Sequence, residues 1–143
     1  MNTQKKNGFT MMELLIVIII LGILATLVLP DLFSKSEQAK RDLTCLKMNG
    51  VTTALKSFRS DNGEYPSTKE GLGLLLENSD SEKYPKYNEV PYLSDDNGIR
   101  DSWGSDYIYI KEDSGFTLMS LGSNMQEGGE KFEKDFNYKE CKK

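Results

Sequence analysis

One apolar run with a single acid inside it constrains this chain more than any other feature: Phe9 to Leu29 reads FTMMELLIVIIILGILATLVL, and Glu13 is its only charge. A helix of about 20 such residues, rising about 1.5 Å per residue, matches a hydrocarbon layer about 30 Å thick. Residues 9–29 are therefore expected to cross a membrane once. Lys5 and Lys6 precede the run, so a secretory signal peptide is the competing reading. Against it stand the length of the run, its charge, and the lack of small residues at a cleavage spacing, since Ile23 and Leu24 precede Ala25.

An ionised carboxylate in an apolar span costs about 2.5 kcal/mol or more and calls for a partner. The run supplies no cation. Cleavage after Gly8 would free an α-amino group on Phe9, cationic with a reference pKa near about 8, at the depth of the membrane. Glu13 of one copy could then neutralise the amino terminus of a neighbour, an arrangement useful to an assembly and of no benefit to a lone anchor.

Gly8-Phe9-Thr10-Met11-Met12-Glu13, after a short basic leader and before the apolar run, resembles the class III signal of type IV pilins and pseudopilins. The resemblance implies cleavage between Gly8 and Phe9 by a prepilin peptidase on the cytoplasmic side, N-methylation of Phe9, and an assembly role for Glu13. Lys5 and Lys6 agree with a leader that stays inside.

Beyond Pro30, which lacks an N–H and clashes with the preceding turn, helical spacing resumes. Leu43, Leu46, Gly50 or Val51, Ala54 or Leu55, and Phe58 recur every three or four residues. They predict an amphipathic helix to about Ser60, docked on its own head and ended by Asp61-Asn62-Gly63. Leu72 to Leu76 reads as a short apolar helix. DYIYIK (106–111) and GFTLMSL (115–121) alternate around a Glu112-Asp113-Ser114-Gly115 turn and predict two antiparallel strands. Residues 78–100, with Pro85, Pro91 and many charges, read as an irregular surface loop. Trp103, beside Gly104, reads as a core anchor beneath the sheet.

PDLFSKSEQAK, then Asp61-Asn62-Gly63 followed by Tyr65-Pro66-Ser67-Thr68, and finally Asp101-Ser102-Trp103-Gly104-Ser105-Asp106-Tyr107, resemble the major pseudopilin of type II secretion systems. The resemblance covers nearly the whole chain. It implies an α+β fold of the type IV pilin kind, with a long N-terminal helix packed on a small antiparallel β-sheet head. The implied organisation is a leader at 1–8, a membrane and filament-core helix at 9–29, and a periplasmic head at 30–143. The implied role is structural: a homopolymer that works with minor pseudopilins and an inner-membrane assembly platform in protein export. A true type IV pilin, building a surface fibre, shares the N-terminal signal and is the alternative.

Composition removes other classes. There is no histidine, the commonest general base and zinc ligand. With 18 Lys and Arg against 22 Asp and Glu, the net charge of -4 leaves no basic face for nucleic acid. Asp95 with Asp96, or Asp101 with Asp106, are the paired acids an anchored enzyme would use, but they stand in turn-rich sequence without a nucleophile elbow or phosphate loop. No enzymatic activity is expected.

The loop from Gly122 to Glu130 resembles the calcium-binding loop of major pseudopilins, which assigns Leu121, Asn124 and Asp135 as candidate ligands. Two departures stand out: Asn124 replaces an aspartate, and Lys134 replaces one of a later acidic pair. Glu127, Glu130 and Glu133 are further oxygen donors or simply a solvated face. Cys45 and Cys141, if bridged, would close a loop of about 100 residues, worth about 4.7 kcal/mol as an upper figure, in an oxidising compartment. Either the bridge substitutes for calcium or supplements it, or the two cysteines stay unpaired.

Overall fold

The computed structural model describes residues 8–141, without side-chain detail at 27–31. The expected leader around Lys5 and Lys6 lies outside the described residues, as do the side chains of Leu29 and Pro30. By contacts the chain divides at Ser36 into two compact units.

A single helix, α1, spans Met11–Asn62. Its first part presents apolar side chains outward: Leu14, Ile18, Leu21 and Ile23 are each about six-tenths exposed. Among the described residues, no helix is long and apolar enough to cross a membrane.

From Glu37 onward, α1 forms one wall of the head. Thr44, Met48, Val51, Leu55 and Phe58 are fully buried. Their spacing of four, three, four and three residues places them on one face, which is why this stripe docks. The sequence reading is corrected at Leu43 and Leu46, which are 48% and 67% exposed. Both lie on a second stripe turned away from the head, and the docked positions beside them are Thr44 and Met48. Each large side chain buried here contributes about 1.5–3 kcal/mol.

Opposite α1 stands a three-stranded antiparallel sheet in the order β1-β2-β3, formed by Ile108–Lys111, Phe116–Ser120 and Phe136–Asn137. Ile108 pairs with Met119 and Lys111 with Phe116. Along β2, Phe116, Leu118 and Ser120 face inward, as period-two alternation requires. The first two strands match the expected pair. The third is a two-residue addition, joined through Ser120 to Phe136 and Met119 to Asn137. The apolar segment after the Tyr-Pro turn forms a 3₁₀ turn at Leu72–Leu75 rather than an α-helix. Residues 78–100 are largely irregular, with one 3₁₀ turn at Asp96–Ile99. The architecture is the expected α+β one, a long helix with a small antiparallel sheet.

Candidate functional site

At the start of α1, the Glu13 N–H donates to Thr10 Oγ1 at 3.2 Å, and the Thr10 N–H donates to Glu13 Oε2 at 3.5 Å. This reciprocal pair is a Thr-x-x-Glu capping box, satisfying two donors that a helix start leaves free. The reading of Glu13 as an intermolecular charge partner missed this local role, although the Thr-x-x-Glu spacing carries the signal. Phe9 is 79% exposed, and among the described residues nothing lies within 4 Å of a Cβ placed on Gly8. Among those residues the Gly8–Phe9 bond is sterically open. Cleavage there would leave the Thr10 N–H, and with it the cap, intact.

Two polar knots hold the head to α1. Asp61-Asn62-Gly63 ends the helix through the Gly63 N–H on Arg59 O at 2.8 Å. Tyr92 donates its hydroxyl to Asp61 Oδ2 at 2.8 Å. In the turn that follows, Ser67 N–H and Oγ both donate to Glu70 Oε2, while the Glu70 N–H returns to Ser67 Oγ. Lys83 and Tyr84 complete the ring around Glu70 at 2.8 Å and 3.0 Å. Partial burial pushes this carboxyl up, but the bonds from Lys83, Ser67 and Tyr84 outweigh it and hold Glu70 down at about 2. Pro66 O accepts from Tyr109, and Thr68 Oγ1 from the Lys111 N–H, so the Tyr-Pro-Ser-Thr segment fastens β1.

The second knot is Asp101, only 2% exposed. Its Oδ1 accepts from the N–H groups of Trp103 and Ser105, and its Oδ2 from Ser120 Oγ. The Ser102 N–H reaches Thr44 Oγ1 on α1 at 3.0 Å. Trp103 is partly buried against Phe136, and its indole N–H donates to Glu37 Oε2 at 2.7 Å. It joins α1 to the sheet edge rather than sitting beneath the sheet.

Three of the four acids weighed as catalytic pairs are committed to architecture. Asp95 caps a 3₁₀ turn through Gly98, Asp106 pairs with Arg100 at 2.9 Å, and Asp101 holds the turn just described. An open groove of about 750 Å³ runs between the outward face of α1 and residues 88–92.

At the C-terminal loop, the side chains of the candidate ligands are engaged separately. Asn124 Oδ1 accepts from the Gln126 N–H and Asp135 Oδ2 from the Gly128 N–H. Of the candidate ligands' side-chain oxygens, Asp135 Oδ1 is buried without a hydrogen-bond partner. Glu127, Glu130 and Glu133 are exposed, and Leu121 precedes the 3₁₀ turn Gly122–Asn124. Among the described residues, no group of three or more Cys, Asp or Glu is placed to hold a metal. A calcium ion takes about six to eight oxygens, from carboxylates and backbone carbonyls alike, and of the candidate side-chain oxygens Asp135 Oδ1 is the buried one left unbonded. Backbone closes the loop instead: the Ser123 N–H donates to Phe132 O at 3.0 Å. Gly129, with φ +97, approaches Glu133 so closely that a Cβ would lie 2.6 Å from its carbonyl oxygen. Beyond it, Cys45 and Cys141 form a disulfide, with their Cα atoms 5.3 Å apart.

Known proteins resemble this chain in both parts. The family model described as "Type II secretion system (T2SS), protein G" matches residues 31–139, and that of the "Prokaryotic N-terminal methylation motif" matches residues 3–29. The type II secretion system core protein G of Pseudomonas aeruginosa is 36% identical over 132 residues, covering 90% of this chain and 92% of the relative. Its counterpart in Vibrio cholerae is 34% identical, covering 89% and 87%. In fold, the crystal structure of the major pseudopilin from the type 2 secretion system of enterohaemorrhagic Escherichia coli aligns with a TM-score of 0.61 at 23% identity, covering 76% of this chain and 93% of that one. The chain therefore belongs to the type II secretion system protein G family.

Proposed function

We propose that the chain, once processed, is the principal subunit of a type II secretion pseudopilus. A prepilin peptidase removes residues 1–8 by cutting between Gly8 and Phe9, and Phe9 is then N-methylated. Residues 9–29 span the inner membrane once and later form the filament core, and residues 30–143 form a periplasmic head. Polymerisation through α1, together with minor pseudopilins and an inner-membrane platform, drives export across the outer membrane. The chain works mechanically and carries no active site of its own.

The observation that carries this reading is the union, in one chain, of an N-terminal methylation motif with a protein G head. The open Gly8–Phe9 bond and the outward apolar side chains of early α1 support it. Deletion of the gene in its native host, with complementation and mass spectrometry of the mature N-terminus, tests it. Loss of type II secretion and a methylated Phe9 are expected. Normal secretion accompanied by loss of long surface fibres would favour the pilin reading instead.

A further inference from the structure

We infer that the C-terminal segment is fastened to α1 by covalent closure in place of a bound dication, so that maturation of the head depends on oxidation and is indifferent to chelation. The inference concerns the head's own fold and does not rest on filament formation.

Phe136 anchors this segment in the core against Trp103, but its sheet pairing is short and the loop before it is exposed. β3 contributes two residues to the sheet, and its register covers only Met119 to Asn137 and Ser120 to Phe136. Tyr138 adds an N–H bond to Leu118 O and stacks on Phe116, while Arg41 lies over the Phe136 ring at 4.0 Å. The loop from Gly122 to Asp135 has few buried side chains to hold it, since residues 125–131 are all exposed. A dication is the usual way to gather such a loop, because it draws distant oxygens to one point. Here two of the side-chain oxygens that would converge, Asn124 Oδ1 and Asp135 Oδ2, are already bonded to the loop's own amides at Gln126 and Gly128, which leaves Asp135 Oδ1 as the buried, unbonded one. The carbonyls of Phe132 and Glu133 are packed against Gly122 and Gly129, with a Cβ on either glycine falling within 2.8 Å of an oxygen.

The missing constraint lies beyond the loop. Cys141 sits beside Cys45 on α1, with Met48 Sδ 4.0 Å from its sulfur, so the last described residue is tied to the helix face that starts the core. Closure requires both thiols to lose their protons and together give up two electrons. A disulfide-bearing protein accepts them: a thiolate of the pair attacks it to form a mixed disulfide. The second thiolate then displaces the carrier as a dithiol. Bridging positions 96 residues apart removes much of the freedom of the open chain, the effect a metal clip would otherwise supply.

Limited proteolysis of the full chain in detergent micelles, followed by mass spectrometry of the C-terminal segment, tests this. Starting from oxidised protein, addition of EDTA or of millimolar calcium should change the cleavage rate less than about two-fold, whereas a reductant should raise it about ten-fold or more. Cys45→Ser should match the reduced protein, and Asp135→Asn, which keeps an oxygen for the Gly128 N–H, should match the oxidised wild type. Loss of protection on chelation with the disulfide intact would overturn the inference. Recovery of protection by the reduced chain on adding calcium would do the same. Reduction of folded wild-type protein supplies a reading even if the cysteine variant fails to fold.

Discussion

Trp103 donates its indole N–H to the nearly buried Glu37 across 66 residues of sequence, joining the sheet edge to the start of the docked helix. That bond, ahead of the pair with Lys40, lowers the Glu37 carboxyl against the opposing effect of burial. Trp103→Phe keeps an aromatic ring against Phe136 but removes the donor. The expected loss is about 1–3 kcal/mol, read as a lower thermal midpoint by circular dichroism, because a charged acceptor is left without its principal partner. The loss should be largest near neutral pH and shrink in acid, where Glu37 becomes protonated in both states.

Glu70 predicts the pH response of the head. Its folded value of about 2 lies below the ordinary 4.5, so the folded state favours the ionised form. The stabilisation is complete above the unfolded value and is lost as pH falls from about 4.5 towards 2, with an upper size of about 3 kcal/mol, reduced by solvent around Lys83. Glu70→Gln should flatten the stability profile in that window and lower the plateau above it, where the wild-type stabilisation is complete. Denaturant midpoints measured between pH 2 and pH 7 check both parts.

Asp101 is a buried anion satisfied by three donors rather than by a cation. Asp101→Ala strands all three and should cost about 3 kcal/mol or more, whereas Asp101→Asn keeps one acceptor for the turn and lets Ser120 rotate to accept, costing about 1 kcal/mol. Equal losses in the two variants by chemical denaturation would mean the turn is held by something other than this carboxylate.

The double role of Glu13 can be divided by substitution. Glu13→Gln keeps an acceptor for the Thr10 N–H and discards the charge, Thr10→Ala removes the cap's hydroxyl and keeps the charge, and Glu13→Ala loses both. Capping is worth about 1 kcal/mol, too little to abolish assembly by itself. Filament yield by electron microscopy is expected to collapse for Gln and Ala at position 13 and to survive Thr10→Ala. Filaments from Glu13→Gln would assign the residue to capping alone.

Much of this architecture is legible in the order of residues. Periodicity marks α1 and its end at Asp61-Asn62-Gly63, and alternation marks β1 and β2, because those elements are stabilised by repeating faces. It fails where a contact, not a period, decides. β3 is two residues long and exists because β2 offers an edge to pair with, a condition no local pattern records. Leu43 and Leu46 mislead because α1 carries two stripes, and the docked one includes Thr44, whose hydroxyl matters more than its hydrophobicity. Turn-rich surroundings set Asp101 and Asp106 aside as a catalytic pair, but that Ser120 and Arg100 occupy them shows only in the fold. The calcium ligands transfer by resemblance as positions, but whether an oxygen is already bonded to a neighbouring amide is a property of the folded loop.

The separation of 96 residues between Cys45 and Cys141 also sets a clock on biogenesis. Since β1, β2, β3 and every turn between them lie inside that interval, the bond can close only after all of them have been synthesised. A copy interrupted anywhere in the head emerges with Cys45 unpaired. With two cysteines in the chain, a free Cys45 thiol would distinguish such a copy chemically from a finished one.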